Sequence, residues 1–150
     1  MLRLGVAGWP VAHSRSPDMH NAALAHLGLR DWRYQHLPIP PELFAETVRA
    51  LPAAGFAGIN VTIPHKEAAL ALADEATATA REVGAANTLT FVKDGTIAAD
   101  NTDVIGLLAC IPPAHDPRGR RALVLGAGGA GRAAAYALRA AGADVAVFNR

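Results

Sequence analysis

A lysine four residues beyond a threonine, at the close of an apolar β-branched run, is the first group here with chemical potential: Gly58-Ile59-Asn60-Val61-Thr62-Ile63-Pro64-His65-Lys66-Glu67. The run reads as a buried strand that delivers Asn60 and Thr62 to its end and holds Lys66 near the start of a helix. A cation is poorly placed there, because the helix dipole favours anions at its N-terminus. A broken local rule marks a candidate site; a solvated surface lysine is the plain alternative. Asp103 precedes an apolar helical stretch and reads first as its N-cap, a role compatible with chemistry. Ser14 and Ser16 stand before a proline-opened helix. They can serve as turn and cap residues, with Ser16 the natural N-cap, or hold a carboxylate with hydroxyls and backbone N–H groups. Asn60, Asn87 and Asn101 lie beside apolar strands, where polar groups need partners that a polyhydroxylated ligand would supply.

A second candidate lies near the end of the chain. Gly126-Ala127-Gly128-Gly129-Ala130-Gly131 carries G-x-G-x-x-G between an apolar strand, Ala122–Leu125, and a helix over Arg132–Ala141. In that context glycines tighten the turn and let the backbone approach a pyrophosphate at the positive helix end. A glycine-rich turn without a ligand is the plain alternative. The following strand, 143–148, leads into Asn149-Arg150. That is a site with no carboxylate to repel a 2′-phosphate and a guanidinium able to pair with one, which favours NADP over NAD. His13, His20 and His65 lack metal-ligand spacing, so no metal site is expected.

The elements that must position these groups alternate. Strands are expected at Leu2–Ala7, Trp32–Leu37 and Phe56–Ile63, with helices at about Asp18–Leu27, Glu42–Leu51, Pro64–Ala73 and Thr77–Val83 between and after them. The first helix should turn Met19, Ala22, Ala23, Leu24 and Leu27 to one side. Lys93-Asp94-Gly95 reads as a hairpin turn between strands over Ala85–Val92 and Thr96–Ala99. A helix follows over Val104–Ile111, and the proline-rich stretch 112–120 is the best linker. This pattern predicts a mainly parallel three-layer α/β/α domain over 1–111, then a βαβ unit beginning at 121. No internal repeat is present.

With 150 residues, 51% of them hydrophobic, and a net charge of +1, the composition is that of an ordinary globular domain. It gives no electrostatic footprint for nucleic acid or an anionic membrane. No apolar run approaches a membrane span. The single cysteine, Cys110, excludes an internal disulfide, makes a cytoplasmic setting the simplest, and reads as a buried free thiol.

Taken together, His13-Ser14-Arg15-Ser16-Pro17 with His20-Asn21, the Gly58–Lys66 run, Gly84-Ala85-Ala86-Asn87-Thr88 and Asn101-Thr102-Asp103-Val104-Ile105-Gly106 resemble the shikimate dehydrogenase family. The glycine loop and Asn149-Arg150 fit its cofactor domain. The resemblance covers essentially the whole chain. It implies an NADP-dependent reduction of 3-dehydroshikimate to shikimate in aromatic amino acid biosynthesis. Ser14 and Ser16 would hold the substrate carboxylate, and Asn60, Thr62, Asn87 and Asp103 would contact ring oxygens. Lys66 and Asp103 would form the catalytic pair. The loop Gly126, Ala127, Gly128, Gly129, Ala130, Gly131 with Asn149 and Arg150 would bind NADP in an incomplete Rossmann unit. The family continues past the equivalent of Arg150, so the expectation is a truncated form, inactive by itself, with the full-length protein a homodimer. A quinate-preferring or NAD-using relative, or a shikimate-binding fragment without activity, are the alternatives.

Overall fold

The computed structural model describes residues 1–150. Strand β1 (Leu2–Gly8) leads through a serine loop into α1 (Ser16–His26), and β2 (Trp32–Pro38) returns beside it. A 3-10 turn and α2 (Phe44–Ala50) cross to β3 (Phe56–Val61), followed by α3 (Lys66–Leu72), the two-residue β4 (Glu75–Ala76) and α4 (Ala78–Val83). The hairpin β5 (Thr88–Phe91) and β6 (Ile97–Asp100) precedes α5 (Asp103–Cys110). Then come β7 (Arg121–Leu125), α6 (Gly129–Ala140) and β8 (Asp144–Phe148).

Six strands form one sheet in the order β2-β1-β3-β5-β6-β4, and β7 and β8 form a separate parallel pair. Pairings β1/β2, β1/β3 and β4/β6 are parallel, while the hairpin inserts antiparallel partners between β3 and β4. The alternation of the strands sorts their side chains by face. One face turns Ala7, Ile59, Val61, Leu89 and Ala99 into the main core, beneath Phe44, Val48, Ala69 and Leu72 of α2 and α3. Each large apolar side chain fully buried here contributes about 1.5–3 kcal/mol. The opposite face carries Val6 and Tyr34 against α1.

Register fixes the site. Val6 pairs with Asn60, and Asn60 with Thr88, so these positions share the α1 face at the carboxyl end of β1 and β3. A third apolar cluster, Val83, Ala85 and Val104 with Ala133 and Ala137, joins α4 and α5 to α6, so the glycine-loop helix is packed directly on the first sheet's helices.

Several expectations shift. Ser16 is the first helical residue and Arg15 occupies the cap position; it is Ser14 Oγ that accepts from the Ser16 N–H, at 3.3 Å. Of the apolar residues expected on one side of α1, Leu24 packs inward, whereas Met19, Ala22, Ala23 and Leu27 are exposed. The strand expected from Ala85 starts only at Thr88, because Gly84 ends α4 with a left-handed turn and residues 85–87 are spent crossing to the sheet. Asn87 N–H donates to the Asp100 carbonyl at 3.0 Å during that crossing. Strand β4 is too short to leave a periodic signal. Helix α6 begins three residues early, taking Gly129 and Gly131 into its first turn. Cys110, at the end of α5, is exposed rather than buried.

Candidate functional site

Lys66 is the first residue of α3, and its cation is answered by a carboxylate 37 positions away: Nζ lies 2.6 Å from Asp103 Oδ2. Asp103 is likewise the first residue of its helix, where a carboxylate suits the dipole. It is not the N-cap by side chain. That duty falls to Asn101, whose Oδ1 accepts from the Asp103 N–H at 3.1 Å while its Nδ2 donates to the Ala85 carbonyl at 2.8 Å. Asn101 is buried, with both its side-chain oxygen and its nitrogen bonded within the protein, so it needs no ligand. Relieved of capping, the Asp103 carboxylate accepts from Lys66 on one oxygen and from Asn87 Nδ2, at 2.9 Å, on the other.

Asn87 is committed in turn. Its second N–H goes to Thr102 Oγ1 at 3.0 Å, and its Oδ1 accepts from the Thr102 backbone N–H at 2.9 Å and from the Thr88 hydroxyl at 3.1 Å. Thr88 Oγ1 also accepts from Asn60 Nδ2 at 3.3 Å, and Asn60 Oδ1 accepts from the Tyr34 phenol at 2.7 Å. Tyr34 is buried; desolvation pushes its phenol well above the usual tyrosine range, with the nearby Ser16 hydroxyl acting in the opposite sense. The protein itself thus supplies every partner of Asn87 and, for Asn60, those of the carbonyl oxygen and of one amide N–H.

Ser14 and Ser16 meet at the head of α1, 3.2 Å apart between hydroxyls, and His36 Nε2 secures the loop through the Ser14 carbonyl at 2.8 Å. Thr62 follows β3 directly, with its N–H on the Ala7 carbonyl at 2.8 Å. Ser14, Ser16, Asn60, Thr62, Lys66, Asn87 and Asp103 are all half-buried. His65, next to Lys66, is instead a core residue, stacked on Phe44 and bonded through Nε2 to the Ile39 carbonyl at 2.7 Å. Its pKa is lowered, chiefly by burial, with the Ile39 bond opposing.

The glycine loop lies against this lysine. Gly126 adopts φ +103°, the left-handed turn that excludes most side chains, and a Cβ on Gly129 would fall 2.9 Å from Lys66 Cβ and Cδ. A cleft of about 270 Å³ is lined by Ile63, Pro64, Lys66, Glu67, Gly128 and Gly129. Arg132 of α6 donates to the Ala127 carbonyl at 3.1 Å and pairs with Glu67 at 3.2 Å, joining the loop to α3. At the far end of the loop a second cleft, about 400 Å³, is bounded by Leu125, Gly126, Phe148, Asn149 and Arg150. Asn149 Oδ1 there accepts from the Ala127 N–H at 3.3 Å.

This geometry can be set beside known proteins. The sequence model of the shikimate dehydrogenase substrate binding domain matches residues 6–89. The chain belongs to the shikimate dehydrogenase family. A shikimate dehydrogenase (NADP(+)) of Paracoccus denitrificans is 51% identical over 150 residues, covering 97% of this chain and 53% of its own length. The chain spans about half the length of the curated relatives it matches. Among solved structures, shikimate 5-dehydrogenase of Thermus thermophilus in complex with shikimate superposes with a TM-score of 0.88 at 46% identity, over 100% of this chain and 57% of that one. The same enzyme in complex with NADP(H) and shikimate gives 0.87.

Within this shikimate dehydrogenase fold the polar cluster contains residues to which the sequence reading gave no role. Tyr34 reads as an ordinary inward residue of an alternating strand, and only its need for a buried hydroxyl partner could have flagged it. Thr88 and Thr102 stand within the motifs, beside Asn87 and Asp103, but nothing in those motifs gave them a role. Arg132 looks like a solvated helix residue.

Proposed function

We propose that this chain supplies the substrate site and the first part of the cofactor site of an NADP-dependent shikimate dehydrogenase. On this reading residues 1–111 form the substrate unit, 112–120 a linker and 121–150 the start of the cofactor unit. The observation that carries the reading is the Lys66–Asp103 pair at 2.6 Å, half-buried and directly beside a glycine loop.

Ser14 and Ser16, at the start of α1, offer hydroxyls and backbone N–H groups to the substrate carboxylate. Asn60, Thr62, Asn87 and Asp103 face the ring oxygens. Lys66 presents N–H donors to the ketone oxygen where negative charge gathers, and its proton is available to that oxygen at Nζ. Asp103 orients the ammonium and keeps it beside the substrate. The donor set fits a dinucleotide phosphate: a glycine turn at a helix start, with Asn149 and Arg150 at the cleft beyond. When bound there, NADPH supplies the hydride for the reduction. A single exposed thiol fits a reducing cytoplasm, and a homodimer of the full-length protein completes the proposal.

The test is kinetic. In an enzyme that joins this substrate unit to a complete cofactor domain, shikimate-dependent reduction of NADP+ should be observed and should far exceed that with quinate. Activity with quinate alone would favour the quinate-preferring relative.

A further inference from the structure

The sense of each hydrogen bond in the chain that ends on Asp103 is set by chemistry that permits no alternative, and the chain starts at a residue given no role so far. Asn87 cannot be flipped: its N–H₂ must face the Asp103 carboxylate, which only accepts, and its oxygen must face the Thr102 backbone N–H, which only donates. The Thr88 hydroxyl therefore donates to Asn87 Oδ1 and accepts from Asn60 Nδ2. Asn60 Oδ1 is left toward Tyr34, whose O–H must donate, at 2.7 Å.

Tyr34 itself is clamped from outside the sheet. The Asn21 side-chain amide takes both of its backbone groups, accepting from the Tyr34 N–H and donating to the Tyr34 carbonyl, each at 2.9 Å. His20 stacks on its ring, with centroids 4.3 Å apart. The pair His20-Asn21 thereby fixes a tyrosine that touches neither Lys66 nor Asp103.

We infer that Tyr34 is a positioning residue for ring-hydroxyl recognition: by donating to Asn60 Oδ1 it makes Asn60 present its unspent N–H to the ligand, and through Thr88 and Asn87 it heads a one-way chain ending on Asp103. Of the two amides, Asn87 has both N–H groups committed, so the donor offered to a ligand oxygen is that of Asn60. This rests on the proposed shikimate site and assigns the residue that gives it selectivity for a hydroxylated ring.

The experiment uses Tyr34→Phe, which removes the donor and keeps the ring on His20, and compares two acids by calorimetry: shikimate and cyclohex-1-ene-1-carboxylate, the ring acid without hydroxyls. Tyr34→Phe should weaken shikimate about tenfold and the bare acid less than about twofold, the size expected when one buried hydrogen-bonding partner is lost. Equal losses on both acids, or none on shikimate, overturn the inference. A readout independent of ligand follows the side-chain amide signals by NMR. Tyr34→Phe should move those of Asn60 and Asn87, but only Asn60 in a Thr88→Val background; an unmoved Asn60 overturns the inference. If the parent chain binds neither acid, the functional proposal falls while the amide signals still decide the role of Tyr34. If Tyr34→Phe does not fold, Thr88→Val carries the same comparison of acids, with a selective loss on shikimate expected and an equal loss contradicting it.

Discussion

The Lys66 ammonium sits at the wrong end of its helix and is kept there by Asp103, which is why the two act as one group. In an enzyme with a complete cofactor domain, Lys66→Ala should lower kcat by about 10²–10⁴-fold, the usual worth of a positioned proton donor, with only a small change in KM. A rise in KM with kcat intact would reduce Lys66 to a binding residue. His65, one position earlier, gives a pH dependence. Its folded pKa lies below the unfolded value of about 6.5, so the unfolded chain takes up a proton first as pH falls. The stability it contributes is complete above that value and drains away below it. Urea midpoints measured from pH 8 to 5 should fall for the parent and fall less for His65→Phe; equal slopes would remove His65 as the cause. Single residues were only partly legible in sequence. Asp103 stood out as a helix-start residue, but nothing local could pair it with a lysine 37 positions away. The familiar ring of motif residues hid Tyr34 because alternation along β2 marks it simply as inward-facing.

At the level of elements, the platform is β3 and β5 held over a core that contains Leu89, completely buried between α2, α3 and the sheet. Leu89→Ala should cost about 2–5 kcal/mol, read as a lowered urea midpoint with an unchanged slope. A change below the error of the midpoint would mean the core closes over the gap. The close fit of α6 on α3 makes a different prediction. Gly129→Ala sets a methyl 2.9 Å from the Lys66 stem and should lower kcat by about 10²-fold through displacement of the lysine. Gly106→Ala, whose new Cβ meets open space in α5, should instead stabilise by about 0.5–1 kcal/mol. If both substitutions behave alike, the contact between loop and lysine is unimportant. Element types were readable because β-branched runs, helix stops and the Asp-Gly turn are local signals. The two-residue β4 and the extended crossing at 85–87 were not, since tertiary pairing alone defines them.

Over the whole molecule, the two sheets are joined by the cluster of Val83, Ala85 and Val104 with Ala133 and Ala137, which holds the glycine loop against Lys66. The sequence pointed to a proline-rich linker at 112–120, but nothing in it marked Val83, Ala85, Val104, Ala133 and Ala137 as one cluster. The role proposed for Asn149 and Arg150 predicts that an enzyme with a complete cofactor domain binds NADP+ more tightly than NAD+ in a titration, and equal affinities would reject the role given to Arg150. The most direct measurement is calorimetric titration of this chain with shikimate beside its Ser14→Ala/Ser16→Ala double variant. Saturable one-to-one binding by the parent and its loss in the variant are expected. No binding by the parent, or equal binding by both, would contradict the proposed substrate site.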